Sequence, residues 1–312
     1  MVEPVAIAAL AIESATGYPD PLYRGIGHPV GLFARIINAL ETRWNQPDRP
    51  ERQRRRLGIA ATMLLVIGAF TGALVLEQIL WSWLGQWGWI GVAIAAVPGL
   101  AQRSLHQHVA AVAQALAAGD LDAARHKVAM IVGRDTAQLD ESGIARAGIE
   151  SLAESFCDGV VAPAFWLMLL GLPGLYAYKA INTADSLIGH KEERWRAYGW
   201  AAARLDDIAN WIPARLAGVL ICLAGRGGWN TMRRDARLHA SPNAGWPEAA
   251  MAGVLDVRLG GPVSYDGVAH DKPWLGNGRG EVSAEDITEA LSVYRHACLL
   301  LWVIAGAYAW AL

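Results

Sequence analysis

Four side chains in the run "RAGIESLAESFCDG" recur at every fourth position: Arg146, Glu150, Glu154 and Asp158. On a continuous α-helix that spacing puts them on one face. Three carboxylates in a row repel unless a cation sits among them, so the pattern suits a divalent metal and the phosphates that travel with it. The plainer reading is a solvated face with one Arg146–Glu150 pair, contributing on the order of 0.3 kcal/mol. A second group, "YKAINTADSLIGHK", supplies Lys179, Asn182, Thr183, Asp185, Ser186 and Lys191, more short polar residues than a connecting turn needs. A third, "ARLDDIANWIPARL", sets Asp206 and Asn210 one helical turn apart, with Arg204, Asp207 and Arg215 close by; charge pairing at a membrane boundary is its structural alternative. A fourth, "RRDARLHASPNAGWPEAAMAG", leads Arg234, Asp235 and His239 into a turn holding Ser241 and Asn243, with Glu248 on the helix that follows. Such a run is commonly a turn and nothing more.

Together these groups provide Mg²⁺-type oxygen ligands and phosphate-type cations beside apolar segments, where unpaired charge is costly. The combination points to a phosphate-handling site. The sequence contains no G-x-x-x-x-G-K-[ST] run, so ATP would be held without a P-loop. His106 and His108, two residues apart, would point to opposite faces of a helix and so not share a metal. His28 precedes Pro29 and is expected to be extended, its ring free to meet a ligand or to cap a turn.

The elements that must position these groups belong to a membrane protein. Of 312 residues, 54% are apolar and 18% charged, and the mean hydropathy is +0.23, too apolar for an ordinary soluble domain. Residues 57–76, "LGIAATMLLVIGAFTGALVL", carry no charge and at about 1.5 Å per residue can cross a hydrocarbon core of about 30 Å. The preceding "RPERQRRR" predicts that this end faces the cytoplasm. Residues 81–100, with Trp81, Trp83, Trp87 and Trp89 at an interface, suit a return crossing. Residues 101–130 read as a soluble helical hairpin, Gly119 ending one helix and Asp120 capping the next. Residues 293–312 suit a plain span. Two further apolar stretches are less regular: 160–178 contains Pro163 and "GLPG" and is expected to be kinked, broken or re-entrant, while 208–224 carries Asn210, Pro213 and Arg215. Residues 258–280 read as a glycine-rich loop or short hairpin, and Ser283 with Asp286 as a capping box for the final helix. The expected fold is all-α, a multi-pass integral membrane protein with cytoplasmic helices and a glycine-rich loop region, forming one membrane-embedded unit over residues 1–312.

Net charge of −2 and a pI near 6.4 argue against nucleic-acid binding. The start, "MVEPVAIAALAIESATGYPDP", lacks a basic region and is interrupted by Glu13, unlike a secretory signal. Cys157, Cys222 and Cys298 are isolated and are expected to be small core residues.

The stretches "GHPV", "GRDT", "IESLAESFCDGVVAPAFW", "YKAINTADSLIGHK", "AARLDDIANWIPARL" and "SPNAGWPEAAMAG", in that order along nearly the whole chain, resemble the CobD/CbiB family, the adenosylcobinamide-phosphate synthases of cobalamin biosynthesis. The resemblance implies a multi-pass enzyme of the inner (cytoplasmic) membrane. Such an enzyme joins an adenosylcorrinoid, adenosylcobyric acid, to (R)-1-amino-2-propanol O-2-phosphate or ethanolamine phosphate with ATP and Mg²⁺. Carried onto this sequence, it implies catalytic roles for Glu150, Glu154, Asp185 and Asp206, and Mg²⁺ ligation by Glu150, Glu154, Asp158 and Asp207. Phosphate and substrate binding would fall to His28, Arg134, Lys179, Asn182, Thr183, Lys191, Arg204, Arg215, Arg234, Ser241 and Asn243. The chain has Ser155 where the family often has Asn, and "GYPDP", with Asp20, where the family often has Gly-Asp-Pro. A homo-oligomer, or association with other cobalamin-pathway enzymes, is compatible with the same reading. The alternatives are a membrane transporter or corrinoid-binding protein, and an AmpE-like signalling protein on the same scaffold.

Topology leaves two arrangements. A full crossing by 160–178 would put the Lys- and Arg-bearing segment 179–206 outside, against the charge bias. A broken or re-entrant passage would keep it inside; alternatively the site lies within the membrane, in a polar cavity between helices.

Overall fold

The computed structural model describes residues 4–18, 27–265 and 268–311. Asp20 of the "GYPDP" run lies outside them. In chain order the helices are α1 (Val5–Thr16), α2 (Pro29–Trp44), α3 (Glu51–Leu84), α4 (Gly88–Ala96), α5 (Gln102–Ala117), α6 (Leu121–Ala129), α7 (Glu141–Phe156) and α8 (Ala162–Ile188). There follow α9 (Glu193–Arg196), α10 (Trp200–Ala209), α11 (Trp211–Ala224), α12 (Trp229–Asp235), α13 (Gly245–Leu255) and α14 (Ala284–Ala311). Between α13 and α14 lie the short strands β1 (Leu259–Gly260), β2 (Val263–Tyr265), β3 (Val268–His270) and β4 (Trp274–Leu275). Contacts divide the chain into two compact units that interleave in sequence. The first comprises Met1–Ala101, Ala162–Asn210 and Ala305–Leu312; the second comprises Gln102–Val161 and Trp211–Ile304.

The all-α membrane architecture is borne out. Glu51–Ala117, Glu141–Ile188 and Ala284–Ala311 each contain a window long and apolar enough to cross a membrane, with mean hydropathy 2.3, 1.7 and 1.5. Large apolar side chains stand exposed along α3 and α14, among them Leu64, Ile67, Leu299 and Val303, as lipid contact requires.

In the first unit, the 34-residue α3 is about 51 Å long at 1.5 Å per residue, more than a crossing needs. It packs along α8, and Gly58 makes a close approach possible: a Cβ there would lie 1.8 Å from the Tyr198 carbonyl oxygen. Phe33 and Ile37 of α2, Ala61 and Leu65 of α3 and Ala180, Ala184 and Ile188 of α8 bury one another. Residues 81–100, expected as a return crossing, are not one continuous helix. Gly85, at φ +53°, ends α3, and the remainder forms 3₁₀ turns around the nine-residue α4, about 13 Å long. The expected irregularity in 160–178 is present: Gly171 leaves helical geometry at φ 66°, ψ −157°, immediately before Pro173. The stretch 208–224 is likewise interrupted, α10 ending and α11 beginning at Asn210.

In the second unit, Asp120 accepts the Ala123 N–H at 2.9 Å after Gly119 at φ +72°, giving the expected α5–α6 hairpin. Asp140 caps α7 through the Gly143 N–H at 2.7 Å. The glycine-rich segment makes two small antiparallel pairs, β1 with β4 and β2 with β3. Asp286 accepts the Ser283 N–H at 2.8 Å, the anticipated capping interaction, and Arg279 braces the same carboxylate at 2.7 Å. All three cysteines are buried and none forms a disulfide.

Candidate functional site

In the second unit α7, α13, residues 131–134 and Lys272 line an open polar cavity of about 180 Å³. One turn of α7 separates Glu150 from Glu154, and both line it, as do Arg134, Glu248 and Lys272. Ser151 holds the 131–134 loop against α7 by donating to the Ile131 carbonyl at 2.7 Å. Arg134 then meets Glu150 Oε2 at 2.6 Å, the side chains only 12% and 13% exposed. The second Glu150 oxygen accepts the Gly260 N–H at 2.6 Å. Both oxygens of Glu150 are therefore committed within the protein.

Glu248, in the first turn of α13, is buried. Burial pushes its carboxyl well above the ordinary range, and the charges of Glu154 and Glu150 push it further, against the weaker pull of Lys272 and Arg134. Its basic neighbour is His239, whose Nε2 lies 3.7 Å from Oε1. The Ser241 N–H donates to His239 Nδ1 at 3.0 Å, so a neutral His239 carries its proton on Nε2, towards Glu248. Spacing alone assigns Glu248 no role and does not single out Lys272. Glu248 could have been found as a lone acid opening an apolar helix; Lys272 sits in a loop with no periodic signal.

The four-spaced face of α7 does not survive intact. Arg146 turns to the Gly280 carbonyl, 2.8 Å away, and lies over the Trp274 ring. Asp158 falls in a π turn, Cys157–Val161, whose extra residue per turn rotates it out of the α-helical register; it does not line the cavity. Among the described residues no group of three or more His, Cys, Asp or Glu side chains stands ready to hold a metal.

In the first unit a second polar cluster forms on α8 and α10. Asp206 accepts from Asn182 Nδ2 at 3.3 Å and from Asn210 Nδ2 at 3.0 Å. The buried Tyr178 hydroxyl donates to Asn210 Oδ1 at 3.0 Å. Lys179 adds a favourable positive charge near Asp206. His28 caps α2, accepting the Val30 N–H at 3.3 Å; burial, then the Lys179 charge, lowers its pKa. The sequence groups "GHPV", "YKAINTADSLIGHK" and "ARLDDIAN" therefore do meet.

Other members of these groups point elsewhere. Thr183 spends its hydroxyl on the Lys179 carbonyl at 2.6 Å. Asp185 packs against Gly189 at the end of α8, and Lys191 is exposed beyond it. Arg204 and Asp207 face each other at 3.4 Å on the outside of α10.

The half of α8 that bears this cluster, residues 172–188, begins at the Gly171 break. Glu77 of α3 accepts the Leu172 N–H at 2.9 Å, and a Cβ on Gly171 would lie 2.8 Å from that oxygen. An acid inside an apolar helix is a signal the sequence offered and the site assignment overlooked.

The remaining candidates lie in the second unit. Arg215 sits between the Trp211 and Trp246 rings at 4.3 and 4.7 Å and reaches Asn243 Oδ1 at 3.4 Å. Ser241 Oγ accepts from the Asn243 and Ala244 N–H groups, both at 3.2 Å, shaping the turn into α13. Arg234 makes two 2.6 Å bonds to Asp235, whose carboxylate also accepts the Gly276 N–H at 2.8 Å. That pair fastens α12 to the glycine-rich segment.

Comparison with known proteins gives a consistent match. The family model described as CobD/Cbib protein matches residues 6–294. The cobalamin biosynthesis protein CobD of Rhodobacter capsulatus is 48% identical over 306 residues, 96% of this chain and 95% of the relative. Proteins of the same name from Brucella anthropi, 46% identical over 92% of this chain and 90% of the relative, and from a Sinorhizobium species, 46% identical over 94% of each, are similar throughout. No solved structure matches.

Proposed function

The chain belongs to the CobD/CbiB family and has a role in cobalamin biosynthesis, and from that premise we propose that it is the ligase forming adenosylcobinamide phosphate. The reaction joins a carboxyl of adenosylcobyric acid to the amine of (R)-1-amino-2-propanol O-2-phosphate or ethanolamine phosphate. A carboxylate is a poor acyl donor. ATP therefore transfers its γ-phosphoryl group to it, releasing ADP; the amine then attacks the acyl phosphate, phosphate leaves and an amide forms. The ammonium must lose a proton before or during attack.

The observation that carries this reading is the meeting of Arg134, Lys272 and three glutamates on one small cavity. Its volume suits a charged phosphoryl end rather than a whole corrinoid. Arg134 and Lys272 bind phosphate oxygens, and Glu150 orients Arg134 through their 2.6 Å pair. Mg²⁺ fits the donor set, because mutual repulsion at Glu248 and Glu154 is what a divalent cation relieves. Those two carboxylates would hold it, and bound there it would offset nucleotide charge. In the first unit Lys179, Asn182 and Asp206 form a separate polar cluster, with Asp206 oriented by Asn210. The site belongs to the inner membrane, with residues 43–56 on the cytoplasmic side.

The test is product formation by purified protein in detergent with adenosylcobyric acid, amino alcohol phosphate, ATP and Mg²⁺, read by mass. The expected result is the amide, lost in Glu154→Ala. Substrate binding without amide would reject the ligase and favour a corrinoid carrier.

A further inference from the structure

The first turns of α3 carry positive charge that the described residues leave uncompensated. Arg54 is engaged, donating to Asn45 Oδ1 at 2.7 Å and to the Arg194 carbonyl, and Arg55 lies over the Trp200 ring at 3.9 Å. Arg52 and Arg56 are exposed and, among the described residues, have no ion pair or hydrogen bond. Four residues apart, they share one face of the helix. Glu51 is about 100° away around the axis.

The same face continues into lipid-facing sequence. Ile59, Met63 and Phe70 follow at helical spacing beneath the two arginines, 37%, 42% and 36% exposed, with Ile67 at their edge. From Arg56 to Ile67 the helix rises about 16 Å, close to half of a hydrocarbon core about 30 Å thick. One stripe of α3 thus presents two unpaired guanidinium groups at headgroup depth and an apolar track one leaflet long.

We propose that this stripe is a binding site for an anionic phospholipid, its phosphate on Arg52 and Arg56 and an acyl chain along Ile59, Met63 and Phe70. Arginine forks match phosphate oxygens, and a net negative headgroup is needed to balance two cations; a zwitterionic lipid brings its own ammonium and is disfavoured. Trp200, held by Arg55, supplies an aromatic ring beside the same turn, as interfacial anchors do. The site is independent of the ligase reading and of both polar clusters.

Native mass spectrometry of the detergent-purified full chain, offered equimolar phosphatidylglycerol and phosphatidylcholine, tests it. The parent should retain phosphatidylglycerol at least fivefold over phosphatidylcholine. Arg52→Gln/Arg56→Gln should lose that preference with an unchanged lipid-free melting temperature, and Arg52→Lys/Arg56→Lys should keep most of it. Equal retention of the two lipids by the parent, or undiminished preference in the Gln double variant, would overturn the site. So would complete displacement by soluble glycerol 3-phosphate, since the apolar track would then contribute nothing.

Discussion

Asp206 in the first unit and Glu248 in the second are acids of similar surroundings by sequence, each beside apolar residues and one helix from a basic group, yet they are partnered differently. Asp206 has an amide donor for each oxygen, and the chain Tyr178–Asn210–Asp206–Asn182 is closed by neutral partners. Glu248 is buried against Glu154 and Glu150, and its neighbours raise its affinity for a proton. The first arrangement is complete as folded. The second stores repulsion that a cation or a proton would relieve, and that contrast separates a scaffold from a reactive centre.

Substitutions can break the contrast. The largest effect is expected at Arg134→Ala, which strands Glu150 without its cation. A loss of about 3–5 kcal/mol follows from breaking a buried pair, seen as a lower melting temperature, and amide formation should fall more than 100-fold. Asn210→Leu leaves Asp206 and the Tyr178 hydroxyl each short of a partner and should cost about 1–3 kcal/mol, with a smaller fall in rate. Glu77→Ala removes the acceptor for Leu172 and should cost about 0.5–2 kcal/mol, the range of a helix cap. Glu77→Gln, which keeps an acceptor oxygen, should restore most of that; equal melting points for the two variants would refute the cap.

Glu248→Gln should give the smallest stability change and the opposite sign. A folded-state pKa raised above the unfolded value means that the native state binds more protons, so stability falls as pH rises past the ordinary carboxylate range towards the raised value. The parent should accordingly lose melting temperature between pH 5 and 8 relative to Glu248→Gln, while the variant forms at least tenfold less product. If Glu248→Gln is as active as the parent, the second cluster is no more reactive than the first.

Much of the scaffold was legible from sequence because it rests on local chemistry. The charge-free run in α3, the Gly119–Asp120 junction, the Ser283–Asp286 cap and the break signalled by "GLPG" each depend on residues within a turn or two. The expected face of α7 held for Glu150 and Glu154, where the helix is regular, and failed for Asp158, where a π turn changes the period. Over 81–100 the sequence did not show where the helix would break, because the left-handed Gly85 carries no hydropathy signal. The pairing of Gly260 with Glu150, and the arrival of Lys272 beside Glu248, join segments more than a hundred and about two dozen residues apart. Long-range pairings of that kind leave no periodic trace.

The interleaving of the two units has a consequence for biosynthesis. Unit one takes in Met1–Ala101 but closes only with Ala305–Leu312, where Gly306 comes to rest beside Ile7. At translation speeds of about 5–20 residues per second, roughly 15–60 s separate the synthesis of Ile7 from that of Gly306. Through that interval α1 and α4 lack their last packing partner in the nascent chain. An insertase or chaperone that shields apolar helices would have to hold them until that segment arrives.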